Sequence, residues 1–165
     1  MRDSYKKPVL KSLYFNQEVD RIPSLKGKTI AITGTTSGTG FIAAKIVAEK
    51  GARTLLLNRK TNRSNKSYDL LKEHYPKANI VNIECDLQSF KSVKKAAKTI
   101  TDLCNDGLDV LCNNAGVMAL KDQATIDGFD IQMQTNHLSH FLLTKELLPL
   151  LDAIVKAVIV GAVLS

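Results

Sequence analysis

Hydrophobic and polar positions along this chain follow two periods that take turns. Short apolar, β-branched runs of a few residues are followed by longer stretches whose apolar residues recur three and four apart. Residues 30–33 predict a first strand, 41–50 a helix ended by Gly51, and 54–57 a second strand. The pattern continues with a helix over 64–74 stopped by Pro76, a third strand over 80–83, a helix over 89–104 and a fourth strand over 110–112. A longer loop follows Asn113-Asn114-Ala115-Gly116. Residues 136–151 then read as a long apolar helix and 157–163 as a fifth strand, rich in Val and Ile as a strand covered on both faces requires. Strands alternating with helices are the mark of βαβ units, so the expected fold is α/β: a parallel sheet of about five strands flanked by helices.

Composition narrows this further. At 165 residues, 44% hydrophobic and 24% charged, the chain suits one soluble domain with a sizeable core. A net charge of +7 favours an anionic ligand, but the basic residues are scattered and no aromatics interleave them, so a nucleic-acid face is not expected. Lys91, Lys94, Lys95 and Lys98 alternate with Val93, Ala96, Ala97 and Ile100 at helical spacing, which is the wet face of an amphipathic helix. Cys85, Cys104 and Cys112 lack metal or disulfide spacing, so no metal site and a cytoplasmic or other reducing compartment are expected. His137 and His140 lie three apart with no third ligand in view and read as surface or core histidines. Residues 1–28 carry charges where a secretory signal has its apolar core, and the longest apolar run, 157–164, is far short of the ~20 residues a membrane span needs. These 28 residues read as an N-terminal arm, irregular or with a short added helix.

The most informative stretch is residues 29–40, where a β-branched run breaks into Gly34, Gly38 and Gly40 and then a helix pattern. Glycine lets a backbone approach a pyrophosphate where a Cβ would clash. A helix starting near Gly38 would aim free N–H groups and its positive end at the same phosphates. Thr36, Ser37 and Thr39 add hydroxyl and backbone donors, and the whole reads as a dinucleotide cradle opening a Rossmann-type sheet. About 20 residues further on, where a carboxylate would hold the ribose of NAD, the chain has Asn58-Arg59-Lys60. A guanidinium at Arg59 suits a 2′-phosphate, which favours NADP over NAD; a solvated loop arginine is the alternative.

Four segments taken together, Thr33-Gly34-x-x-x-Gly38-x-Gly40, Asp86-Leu87, Asn113-Asn114-Ala115-Gly116 and Thr135-Asn136-His137-Leu138, resemble the short-chain dehydrogenase/reductase family. The run from Asp127 to Leu143 is similar to its branch of retinol dehydrogenases, WW-domain oxidoreductases and protochlorophyllide reductases. The resemblance implies that residues 29–165 form a partial NAD(P)-binding Rossmann domain, incomplete on its C-terminal side, serving NADP-dependent hydride transfer to or from a carbonyl or alcohol. It assigns Asp86 and Leu87 to the adenine pocket, with a helix N-cap as the competing reading of Asp86. Asn114, Ala115 and Gly116 fall beside the cofactor ribose, and Asn136 becomes a catalytic residue that holds a water.

The family's proton chemistry uses a serine and a Y-x-x-x-K motif on the helix after the fifth strand. The chain ends before that helix, Ala162 stands where the serine is expected, and Tyr68 with Lys72 falls on the adenosine side. An incomplete piece of an NADP-dependent oxidoreductase whose full-length form is the enzyme, an inactive NADP-binding or regulatory protein, and a nonfunctional truncated product therefore all stand as readings. The substrate, a small molecule, is not legible. An uncovered helix over 136–152 and an apolar edge strand give the further expectation of a dimer or aggregation.

Overall fold

A computed structural model describes residues 14–158. After a short exposed helix α1 (Phe15–Arg21), the chain runs β1 (Thr29–Thr33), α2 (Gly38–Glu49), β2 (Arg53–Asn58), α3 (Asn62–His74), β3 (Ile80–Glu84), α4 (Phe90–Leu103) and β4 (Leu108–Cys112). A composite helix follows: α5 (Ile131–Met133), a π-helical turn (Gln134–Leu138), α6 (Ser139–Leu147) and a 3₁₀ turn (Leu148–Leu150), leading into β5 (Leu151–Val158). The five strands form one parallel sheet in the order β3-β2-β1-β4-β5. The order reverses beside β1, because the chain winds first outward through β2 and β3 and then crosses back to β4. That reversal is where open α/β sheets bind ligands.

Side chains on successive strand residues point to opposite faces, and two cores divide accordingly. Ile30, Ile32 and Leu56 pack with Ala44, Ala48 and Leu71 of α2 and α3. Ala31, Leu55, Leu57 and Leu111 pack on the other face with Val93, Ala97 and Ile100 of α4 and Leu143 and Leu147 of α6. The lysine-bearing side of α4 is left to solvent as its spacing predicts, with Val93, Ala96, Ala97 and Ile100 buried. Helices α3 and α4 are started by side-chain caps. Thr61 and Ser64 form a reciprocal capping box on α3, and Ser89 accepts the Ser92 amide at the start of α4.

Two expectations need correction. The apolar helix expected over 136–151 begins earlier, at Ile131, because Asp130 caps it by accepting the amides of Gln132 and Met133. It also stops earlier. Pro149 has no N–H and its ring obstructs a regular turn, so the chain tightens into the 3₁₀ turn and enters β5 at Leu151, six residues before the expected strand. The expected strand over 157–163 overlaps the described residues only at 157 and 158, and Ala162 lies outside them. Beneath the sheet, Asp109 accepts from the Lys28 ammonium and the Thr29 amide, tying the entry of β1 to β4.

Candidate dinucleotide site

A cavity of about 420 Å³ opens at the carboxyl ends of β1 to β4. Its walls bring together, from four separate stretches, Gly34, Thr36, Ser37, Gly38, Thr39 and Gly40; Arg59; Asp86 and Leu87; and Asn114, Ala115 and Gly116. All twelve residues that the sequence assigned to binding thus line one space. Asn136 does not line it, but its neighbour Thr135 does.

The loop between β1 and α2 is shaped from within. A Cβ on Gly40 would collide with the Gly34 carbonyl oxygen and with Nδ2 of Asn114, so the bare backbone here serves the packing of the turn. Gly38 differs: at φ +57 it sits in the left-handed region, and a Cβ there would meet no protein atom and would stand in open space at the cavity wall. Buried Asn58, ending β2, holds the loop from beside. Its Oδ1 accepts the Thr35 amide at 2.8 Å, its Nδ2 donates to Thr35 Oγ1 at 2.7 Å, and Ser67 on α3 donates to the Thr35 carbonyl.

With the Asn58 amide so engaged, the exposed rim at β2 is cationic. Arg59 lines the cavity, and Arg63, on the first turn of α3, donates from Nη2 to Ser37 Oγ at 3.0 Å. Sequence reasoning missed Arg63 because only the fold carries that turn back to the glycine loop. One signal existed: a cation in the first turn of a helix faces the positive end of the helix dipole, an unfavourable place that calls for a reason.

On the opposite side, Asp86 accepts the Gln88 amide through Oδ1, while Ser89, not Asp86, caps α4. Cys85 also lines this wall; burial, with Asp86 adding in the same direction, pushes its thiol up to about 12, so it stays protonated at neutral pH. The exit from β4 is fastened by Asn136, whose Oδ1 accepts the Val117 amide and whose Nδ2 donates to the Val117 carbonyl, both at 2.8 Å. Thr135 Oγ1 is buried without a partner, a free polar atom belonging to a residue of the cavity wall. His137 is exposed and His140 buried, and among the described residues no group of histidine, cysteine or carboxylate side chains could hold a metal. Among them, too, no helix is long and apolar enough to cross a membrane.

A glycine loop, two arginines and the Asn-Asn-Ala-Gly exit meet at the switch point of a parallel sheet, and together they define a doubly wound α/β protein with a cavity at that point. Residues 28–163 match the family described as short chain dehydrogenase, and the chain belongs to that family. It is 39% identical over 132 residues to the short-chain dehydrogenase TIC 32 A, chloroplastic, of Brassica napus, a match covering 80% of this chain and 41% of that protein. A Mycobacterium paratuberculosis crystal structure superposes with a TM-score of 0.71 at 37% identity, covering 81% of this chain and 46% of that one. Pseudomonas aeruginosa RhlG, solved as an NADP active-site complex, superposes with a TM-score of 0.64 at 30% identity, covering 77% and 49%. The chain therefore spans between about two fifths and one half of the length of these relatives.

Proposed function

We propose that this chain is the coenzyme-holding part of an NADP-dependent oxidoreductase. The coenzyme, when bound, supplies the hydride exchanged with a carbonyl or alcohol; the residues described here bind and orient it. Gly38, Thr36 and Ser37 face its diphosphate, Asp86 and Leu87 its adenine, and Asn114 to Gly116 the ribose nearer the reacting ring. The orphaned Thr135 hydroxyl and the open space beside Gly38 fit a polar ligand seated between the loop and the β4 exit. Asn136 acts by position, bracing Val117. No tyrosine or lysine is among the described residues that line the cavity, so no proton-transfer role is assigned to any of them.

The observation that carries the choice of NADP is the pair Arg59 and Arg63 at one end of the cavity, beside an Asn58 whose amide is already used. Two guanidiniums suit a phosphate dianion, whereas a ribose hydroxyl is best met by a carboxylate. The NADP complex of the RhlG relative supports the same coenzyme. Fluorescence titration of the 165-residue chain with NADPH and NADH tests it. Arg59→Ala and Arg63→Ala are each expected to weaken NADPH by about tenfold while changing NADH by less than about threefold. Equal losses for the two coenzymes would remove the 2′-phosphate assignment, and no binding of either would remove the coenzyme reading.

A further inference from the structure

One buried polar side chain takes no part in the grip proposed above. His140, on α6, places Nε2 3.0 Å from Thr33 Oγ1 and Nδ1 3.1 Å from the Asn136 carbonyl oxygen. Thr33 ends β1, and its Oγ1 also receives the amides of Asn114 at 2.9 Å and Ala115 at 3.0 Å. Counting protons settles the arrangement. A carbonyl oxygen only accepts, so His140 Nδ1 must carry the ring hydrogen. Neutral imidazole then leaves Nε2 bare, as an acceptor. The two lone pairs of the Thr33 hydroxyl are taken by the two amides, so its single hydrogen is left to donate. The competing acceptor, the Cys112 carbonyl, is at 3.4 Å, longer than His140 Nε2.

We infer that His140 is a positioning residue for the coenzyme cavity. By accepting the Thr33 hydrogen it turns that oxygen's lone pairs toward the amides of Asn114 and Ala115, and so sets the wall on which the ligand lies. Asn136, four residues earlier, clamps Val117 with its amide group. One stretch of helix thus fastens both ends of the segment from Asn114 to Val117, the near end through Thr33 and the far end directly. The bare Nε2 is the distinctive requirement, because a histidine that merely filled space would have no need of it.

The inference rests on the coenzyme reading only for its binding consequence, and its test has one arm free of ligand. Two-bond ¹H–¹⁵N correlation of the imidazole, in the 165-residue chain at about pH 7, is expected to show one neutral form with the hydrogen on Nδ1. A hydrogen on Nε2, or an averaged mixture, overturns the inference. In the second arm, His140→Met, similar in bulk without an acceptor, is expected to weaken NADPH by about tenfold. His140→Gln, which can return an acceptor near the Nε2 position, is expected to stay within about threefold of the native chain. A His140→Met chain that melts lower but binds as the native one does shows a packing role only and overturns the inference. If His140→Met does not fold, or the native chain binds no NADPH, the ring tautomer decides alone. The second of these outcomes counts separately against the coenzyme reading.

Discussion

At the scale of single residues, Gly38 and Gly40 stand two apart in one loop and do different work. Adding a methyl to Gly40 drives it into the Gly34 carbonyl and the Asn114 amide, neither of which can retreat without opening the turn. Gly40→Ala is expected to cost about 2 kcal/mol or more in folding stability, read from urea denaturation. Gly38→Ala meets no protein atom and carries only its left-handed backbone conformation, at φ +57, so about 1 kcal/mol is expected. Its methyl instead occupies cavity space, and the larger effect is expected on NADPH affinity. If Gly38→Ala binds as the native chain does, the phosphates do not lie against this loop.

The secondary elements show what a sequence can and cannot disclose. Strands β1 and β2 were legible because alternate residues serve two different cores, and Ile30, Ile32 and Leu56 on one face against Ala31, Leu55 and Leu57 on the other leave an unbroken apolar run. The glycine loop and the Asn113 to Gly116 exit were legible because their chemistry is that of the backbone, which local sequence controls. The start of β5 was not: Leu147, Leu148, Leu150 and Leu151 suit a helix or a strand equally, and the decision falls to Pro149. Arg63 escaped for another reason, since its partner lies 26 residues away; His140 was read as a surface or core histidine and is buried, but its bond to Thr33, 107 residues away, was not legible.

The composite helix yields a pH prediction. Burial lowers the His140 pKa from the usual 6.5; its bond to Asn136 works against this, and His137 adds to the lowering. A histidine depressed in the fold contributes stability that is fully present above the unfolded value near 6.5 and is lost as pH falls through the folded one. Denaturation midpoints are therefore expected to drop as pH falls below about 6.5, and His140→Gln is expected to flatten that slope. Asp109 does not confuse this window. Burial raises its pKa, but the bonds from Lys28 and Thr29 outweigh it and hold the carboxyl below the usual 3.8, so its contribution fades only in stronger acid. An unchanged slope in His140→Gln would mean that His140 titrates alike in the folded and unfolded chains.

For the molecule as a whole, the cavity joins residues from the ends of four strands and both helical layers, so a ligand seated there adds a further link between parts already held by the sheet and by bonds such as Arg63 to Ser37. Anything that binds the folded chain and not the unfolded one stabilises it by mass action, about 2.7 kcal/mol at a hundredfold excess over Kd. For a chain of this size that is a rise in Tm of roughly 5–10 °C. NADPH is expected to produce such a rise in a thermal scan, with NADH at the same concentration producing a much smaller one. The difference should also depend on salt. Arg59 and Arg63 are both exposed, and screening at about 1 M salt shortens the reach of their charge to about 3 Å. Raising the salt is therefore expected to narrow the gap between the coenzymes, while the part of the rise that does not depend on charge persists. A gap that ignores salt would place the discrimination on neutral groups rather than on the two guanidiniums.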